Sequence, residues 1–148
     1  MSTSSFTTLF LVAVLAGLAV RIPLALRHAR HVSAHRNAVP PAFATAIGLD
    51  AHRKAADYTV ARVHLGLVDL LVSTVWLLIL TLGGGLQALF DLSAGVLDAG
   101  SLGQGVAFLT LVAVASWLVD LPLGLYRSFV LEARFGFNRL TPRLFVAD

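Results

Sequence analysis

Apolar residues in this chain gather into three long runs free of charge. Met1 to Val20 carries no ionisable side chain and is densely apolar from Leu9, Leu70 to Phe90 is uncharged, and Ala99 to Val119 is uncharged and leads into Leu121 to Leu125. A helix rising 1.5 Å per residue needs roughly 20 mostly apolar residues to cross about 30 Å of hydrocarbon. Each run is long enough. The pattern predicts an all-α, polytopic membrane protein with three transmembrane helices at about residues 6–26, 64–86 and 104–126.

Breakers set the ends of the helices. Val39-Pro40-Pro41 interrupts the first polar stretch, because proline has no N–H and pushes the residue before it out of the helical region. The sequence before it is expected to extend the first helix. After Gly48, Asp50 is a good N-cap, and no breaker follows until Gly66, so one continuous helix is expected over 50–82, roughly 50 Å long. Gly83-Gly84-Gly85 stops it. A third helix is expected to begin near 103–106 and to run through Pro122, a candidate kink, to about Phe135. Gly136 suits the left-handed position after a helix end, and Thr141-Pro142 reads as a new helix start.

Charge then orients the chain. All 11 Lys and Arg lie in Arg21–Arg62 and Arg127–Arg143, with none between Val63 and Tyr126. By the positive-inside rule the connection 27–62 and the tail 127–148 are cytoplasmic, and the Gly83–Gly105 connection, with Asp91 and Asp98 its only charges, lies opposite. The N-terminus is then outside. The first run lacks the basic leading region of a signal peptide, since its charges follow the apolar residues, so it reads as a reverse signal-anchor. Composition agrees, at 57% hydrophobic with mean hydropathy +0.84. A pI near 10.2 marks a membrane face here, with no nucleic acid as partner. The absence of Cys excludes disulfides, thiolate metal ligands and a Cys nucleophile.

Three charged side chains fall inside the expected spans. Arg21, Asp69 and Asp120 stand six or seven residues from Arg27, Arg62 and Arg127, which puts all three roughly 10 Å deep. An unpaired charge at such depth is costly. Either Arg21 pairs with Asp69, Asp120 or both, or it snorkels to the head groups while the aspartates line a wet cavity or are protonated. His28, His31 and His35 share one helical face. His31-Val-Ser-Ala-His35 has the spacing of a zinc-binding H-E-x-x-H helix but lacks its glutamate, so these read as interfacial histidines, and no metal or catalytic residue is assigned. Trp76 and Trp117 are expected to pack. A transporter with Asp69 and Asp120 as a proton or cation relay is a further reading.

Several elements in order carry a family resemblance: Val39-Pro40, Lys54-Ala55-Ala56-Asp57-Tyr58, Leu121-Pro122 with Tyr126, Phe129-x-x-Glu132, and Phe135-Gly136-Phe137-Asn138-Arg139-x-Thr141. Together they resemble the N-terminal membrane region of the type I CAAX prenyl endopeptidases and their bacterial relatives. The resemblance implies a zinc metallopeptidase of membrane or prenylated peptides, with helices enclosing an intramembrane chamber and an outside N-terminus. Zinc is expected in the complete enzyme and none in this chain, because the family's H-E-x-x-H helix and further glutamate ligand have no counterpart here. Its partners are then the lipid bilayer, a missing C-terminal catalytic region, and a peptide or protein substrate. Glu132, Gly136, Phe137, Asn138, Arg139 and Thr141 are carried over as family-signature positions near the cytoplasmic mouth. Phe135 stands where eukaryotic members commonly have His. The short, cysteine-free, Arg-rich sequence points to a bacterial inner membrane. The contrasting class is a non-catalytic membrane scaffold or subunit.

Overall fold

The computed structural model describes residues 2–95 and 100–136, all of whose regular elements are helical. In chain order these are α1 (Thr3–Ala34), a short 3-10 turn (Pro41–Phe43), α2 (Leu49–Thr81), α3 (Gly85–Ala94), α4 (Leu102–Leu125), a π-helical stretch (Tyr126–Leu131) and α5 (Glu132–Arg134). The helices over Thr3–Ala34, Leu49–Thr81 and Leu102–Arg134 are long and apolar enough to cross a membrane. Their large side chains face outward. Phe6, Leu15 and Leu109 are more than 60% exposed, which would be unfavourable in water and is the expected arrangement against lipid.

The chain forms two compact units. One holds residues 1–68 and 127–148, the other residues 69–126, so α2 contributes to both.

In the first unit, Ser2 caps α1 by accepting the Ser5 N–H at 3.2 Å. The helix stops at Ala34, five residues short of Val39. His35 Nδ1–H donates to the His31 carbonyl at 2.8 Å, which also accepts the His35 backbone N–H at 3.2 Å, so the His35 ring folds back on the helix end. The chain then turns through Pro40, whose carbonyl accepts the Phe43 N–H at 2.9 Å. α2 starts one residue before the expected cap, placing Asp50 inside the first turn. There its charge still favours the helix N-terminus, and it lies 3.8 Å from Arg53. At the other end of this unit Gly136 has φ +69°, the left-handed conformation expected of it.

In the second unit the three glycines do more than end a helix. A Cβ on Gly83 would lie 2.7 Å from the Ile79 carbonyl oxygen, Gly84 has φ +77°, and a Cβ on Gly85 would sit 3.0 Å from Ile79 O and Leu80 Cα. A side chain is barred twice by backbone contact and once by conformation. That tight reversal starts a helix that the runs of apolar residues do not announce, α3, which packs on α4 with Phe90 edge-on to Phe108 at 5.7 Å.

α4 begins with a reciprocal cap. Ser101 Oγ accepts the Gln104 N–H at 3.1 Å, and Gln104 Oε1 accepts the Gly100 N–H at 2.6 Å. Trp76 Nε1–H donates to Ser116 Oγ at 3.0 Å, joining α2 to α4. Trp117 does not pack as expected; it is 59% exposed, because Ser116 takes the position facing Trp76. Pro122 is accommodated inside α4, and four residues later the helix widens into the π-helical stretch, a form that absorbs one extra residue in a turn.

Two outcomes test this unit by unfolding in detergent micelles. Gly84→Ala costs about 1 kcal/mol through its left-handed φ, and Gly83→Ala about 2 kcal/mol through steric overlap. Trp76→Phe costs about 1 kcal/mol, the contribution of one hydrogen bond, and Ser116→Ala added to it costs nothing further.

Candidate functional site

The site lies in the first unit, where the end of α1, the start of α2 and residues 134–136 come together. Asp50, Arg53, Lys54, Asp57, Val60, Ala61 and His64 recur at three and four residues along α2, and so form a single stripe. With Ser33, Arg134 and Phe135 they line a cavity of about 610 Å³. The stripe carries Asp50, Arg53, Lys54 and Asp57 in its first turns, then Val60 and Ala61, and ends at His64. A ligand there meets ionic groups with a small apolar patch between them.

A polar clasp holds the turn after α1 against α2. Arg36 Nη2 donates to Asp57 Oδ2 at 2.8 Å, Arg53 Nε donates to Asn37 Oδ1 at 3.0 Å, and His52 Nε2–H donates to the His35 carbonyl at 3.1 Å. The Arg36–Asp57 side chains are 41% and 48% exposed, so solvent screens the pair and it contributes at most about 1 kcal/mol. Three such bonds on one turn act together to fix its direction.

The far wall is made by the end of α5. Tyr58 meets Phe135 edge-to-face at 5.4 Å and 68°. Gly136, which the left-handed φ favours, lies beside Lys54, a Cβ at this position falling 3.4 Å from Lys54 Nζ. Lys54 and Tyr58 are four residues apart on one face. Two motif elements nearly eighty residues apart in sequence thus meet in space, Lys54-Ala55-Ala56-Asp57-Tyr58 with Phe135-Gly136. Glu132 lies half-buried in the first turn of α5. Phe137, Asn138, Arg139 and Thr141, with the expected helix start at Thr141-Pro142, lie outside the described residues.

The other expected residues are placed as follows. Arg21 is exposed midway along α1 in the first unit, whereas half-buried Asp69 and exposed Asp120 belong to the second. His31 and His35 stack with ring centroids 4.3 Å apart, and His35 Nδ1 is committed to a backbone carbonyl. Among the described residues no group of three or more His, Cys, Asp or Glu is placed to hold a metal. The clasp residues Arg36, Asn37 and Arg53 are not singled out by sequence, although charges on both sides of a proline turn are a readable signal for such pairing.

Residues 28–148 match the family model described as CAAX prenyl protease N-terminal, five membrane helices. The chain is 50% identical over 48 residues to CAAX prenyl protease 1 of Saccharomyces cerevisiae, covering 32% of this chain and 11% of that protein. It is 41% identical over 56 residues to the CAAX prenyl protease 1 homolog of Oryza sativa subsp. japonica, covering 38% and 13%. The crystal structure of S. mikatae Ste24p superposes with a TM-score of 0.81 at 26% identity, over 91% of this chain and 32% of that one. The match therefore spans about a third or less of each of these proteins.

The Tyr58–Phe135 contact is testable by a double-mutant cycle. Tyr58→Leu and Phe135→Leu, each measured by unfolding in detergent, show a coupling of about 1 kcal/mol. Gly136→Ala destabilises by at least as much, because it also strains the turn beside Lys54.

Proposed function

This chain belongs to the CAAX prenyl protease N-terminal family, and from that premise we propose that it forms the membrane wall and part of the cytoplasmic mouth of a zinc-dependent endopeptidase acting on membrane or prenylated peptides. The observation that carries this reading is the meeting of Lys54 and Tyr58 with Phe135 and Gly136, beside a cavity lined by charged side chains together with Val60, Ala61 and Phe135. Such a mixed lining suits a peptide that carries both polar backbone and apolar groups.

In the proposed topology the N-terminus is outside, residues 27–62 and 127–148 face the cytoplasm, and the spans are near 6–26, 64–86 and 104–126, in a bacterial inner membrane. The distribution of Lys and Arg supports this orientation.

Zinc in such a peptidase supplies Lewis acidity toward the scissile carbonyl. The described residues do not fit it. His31 and His35 have no carboxylate between them, and one ring nitrogen of His35 is already bonded to the backbone. The contribution of this chain is to shape the entrance, hold it open through the clasp, and exclude water along the apolar part of the stripe. The catalytic metal and glutamate are assigned to sequence outside residues 1–148.

Residues 1–148 alone are expected to show neither zinc-dependent peptide hydrolysis nor stoichiometric zinc by elemental analysis; turnover would overturn the assignment. Reading the frame beyond Asp148 separates a protease from a scaffold, since the protease requires an H-E-x-x-H helix there. Reporter fusions at Ala42 and Asp148 should both score cytoplasmic, and opposite scores would refute the topology.

A further inference from the structure

The last turns of α1 present a second, separate feature. Leu24, Arg27, His28 and His31 follow one another at three and four residues, so they share an arc of ~100° at about 100° per residue, with Arg30 flanking it. They line a shallow recess of about 640 Å³. All five are exposed, Leu24 by 58%.

The charges in this recess have no counter-charge within the described protein. Arg27, His28 and Arg30 form no ion pair or side-chain hydrogen bond, in contrast to Arg36 and Arg53, which are held by Asp57 and Asn37. Two guanidinium groups three residues apart on one helix repel each other. Their arrangement is favourable when an anion from outside sits between them, and a guanidinium offers two parallel donors to the oxygens of a phosphate.

Position narrows the kind of anion. Leu24 is one helical turn from Arg27 on the side of the apolar run Leu9–Val20, so the arginines stand about 5 Å from side chains that require hydrocarbon. A soluble phosphate leaves Leu24 bare, and a nucleic acid would be held against the lipid surface. An anionic phospholipid satisfies both ends. We propose that this face of α1 binds one anionic phospholipid, with its phosphate on Arg27 and His31, Arg30 and His28 flanking it on either side, and the start of an acyl chain on Leu24. The His31–His35 stack and the bond from His35 to the His31 carbonyl fix this end of α1 before the lipid arrives. The inference is independent of the proteolytic reading, because it concerns none of the residues around the cavity on α2.

The test is native mass spectrometry of the protein released from phosphatidylcholine nanodiscs with and without phosphatidylglycerol. The wild type is expected to retain phosphatidylglycerol in preference to phosphatidylcholine. Arg27→Gln with Arg30→Gln lowers that affinity about 30-fold, at about fivefold for each cation near the surface. Arg62→Gln with Arg127→Gln, which removes the same net charge from other residues at the cytoplasmic boundary, leaves it unchanged. Leu24→Asn weakens binding of the intact lipid but not of glycerol phosphate. Circular dichroism establishes that each variant remains helical; if the double arginine variant does not fold, His28→Gln with His31→Gln replaces it, with a smaller loss expected. Equal weakening by the Arg62 and Arg127 changes, full retention by the substituted recess, or displacement of the lipid by inorganic phosphate would each overturn the proposal.

Discussion

A peptide group that enters hydrocarbon without a hydrogen-bond partner costs several kcal/mol, and lipid offers no partner to replace one. Every element of this chain answers that constraint. The long apolar helices α1, α2 and α4 keep their backbone groups bonded within the helix, and their threonine hydroxyls turn back on it as well. Thr7, Thr8, Thr59, Thr74, Thr81 and Thr110 each donate to the carbonyl four residues earlier, at 2.6 to 3.0 Å. Trp76, which carries a donor that cannot be folded back in this way, finds Ser116 on α4. The interhelical bond is thus a solution to the same problem, and it also fixes one helix against another where apolar contact alone gives no direction.

Polar contacts of the opposite character govern the first unit. The clasp of Arg36, Asn37, His52, Arg53 and Asp57 is exposed and individually weak. Its importance is geometric, because it sets where α2 starts, and α2 carries the stripe that lines the cavity. Tyr58 and Lys54 then meet Phe135 and Gly136 from that stripe. A few weak bonds at a turn therefore decide the placement of the most distinctive residues of the family.

The helices were legible in the sequence because hydrocarbon length and charge are simple quantities: Leu49–Thr81 differs from the expected 50–82 by one residue at each end. The end of α1 was less legible, since Val39-Pro40 forbids a helix but does not require one to reach it, and the His35 side chain closes it earlier. α3 was hidden by reading Gly83-Gly84-Gly85 only as a stop, when the same three residues also allow an immediate reversal. The start of α4 was readable from Ser101 and Gln104, a capping pair three residues apart. The meeting of Lys54 with Gly136 was not readable from spacing at all, because it joins segments more than eighty residues apart, and only the family resemblance had placed both on one page.

The π-helical stretch from Tyr126 to Leu131 has a bearing on how this family can tolerate insertions and deletions. A wide turn absorbs one surplus residue, so losing a single position there would restore ordinary helical winding and leave Phe135 facing Tyr58 and Gly136 beside Lys54. The same deletion in the regular winding of α4 would rotate everything downstream by about 100°. The π-helical stretch is consequently the place in this helix where a change of length is most easily accommodated.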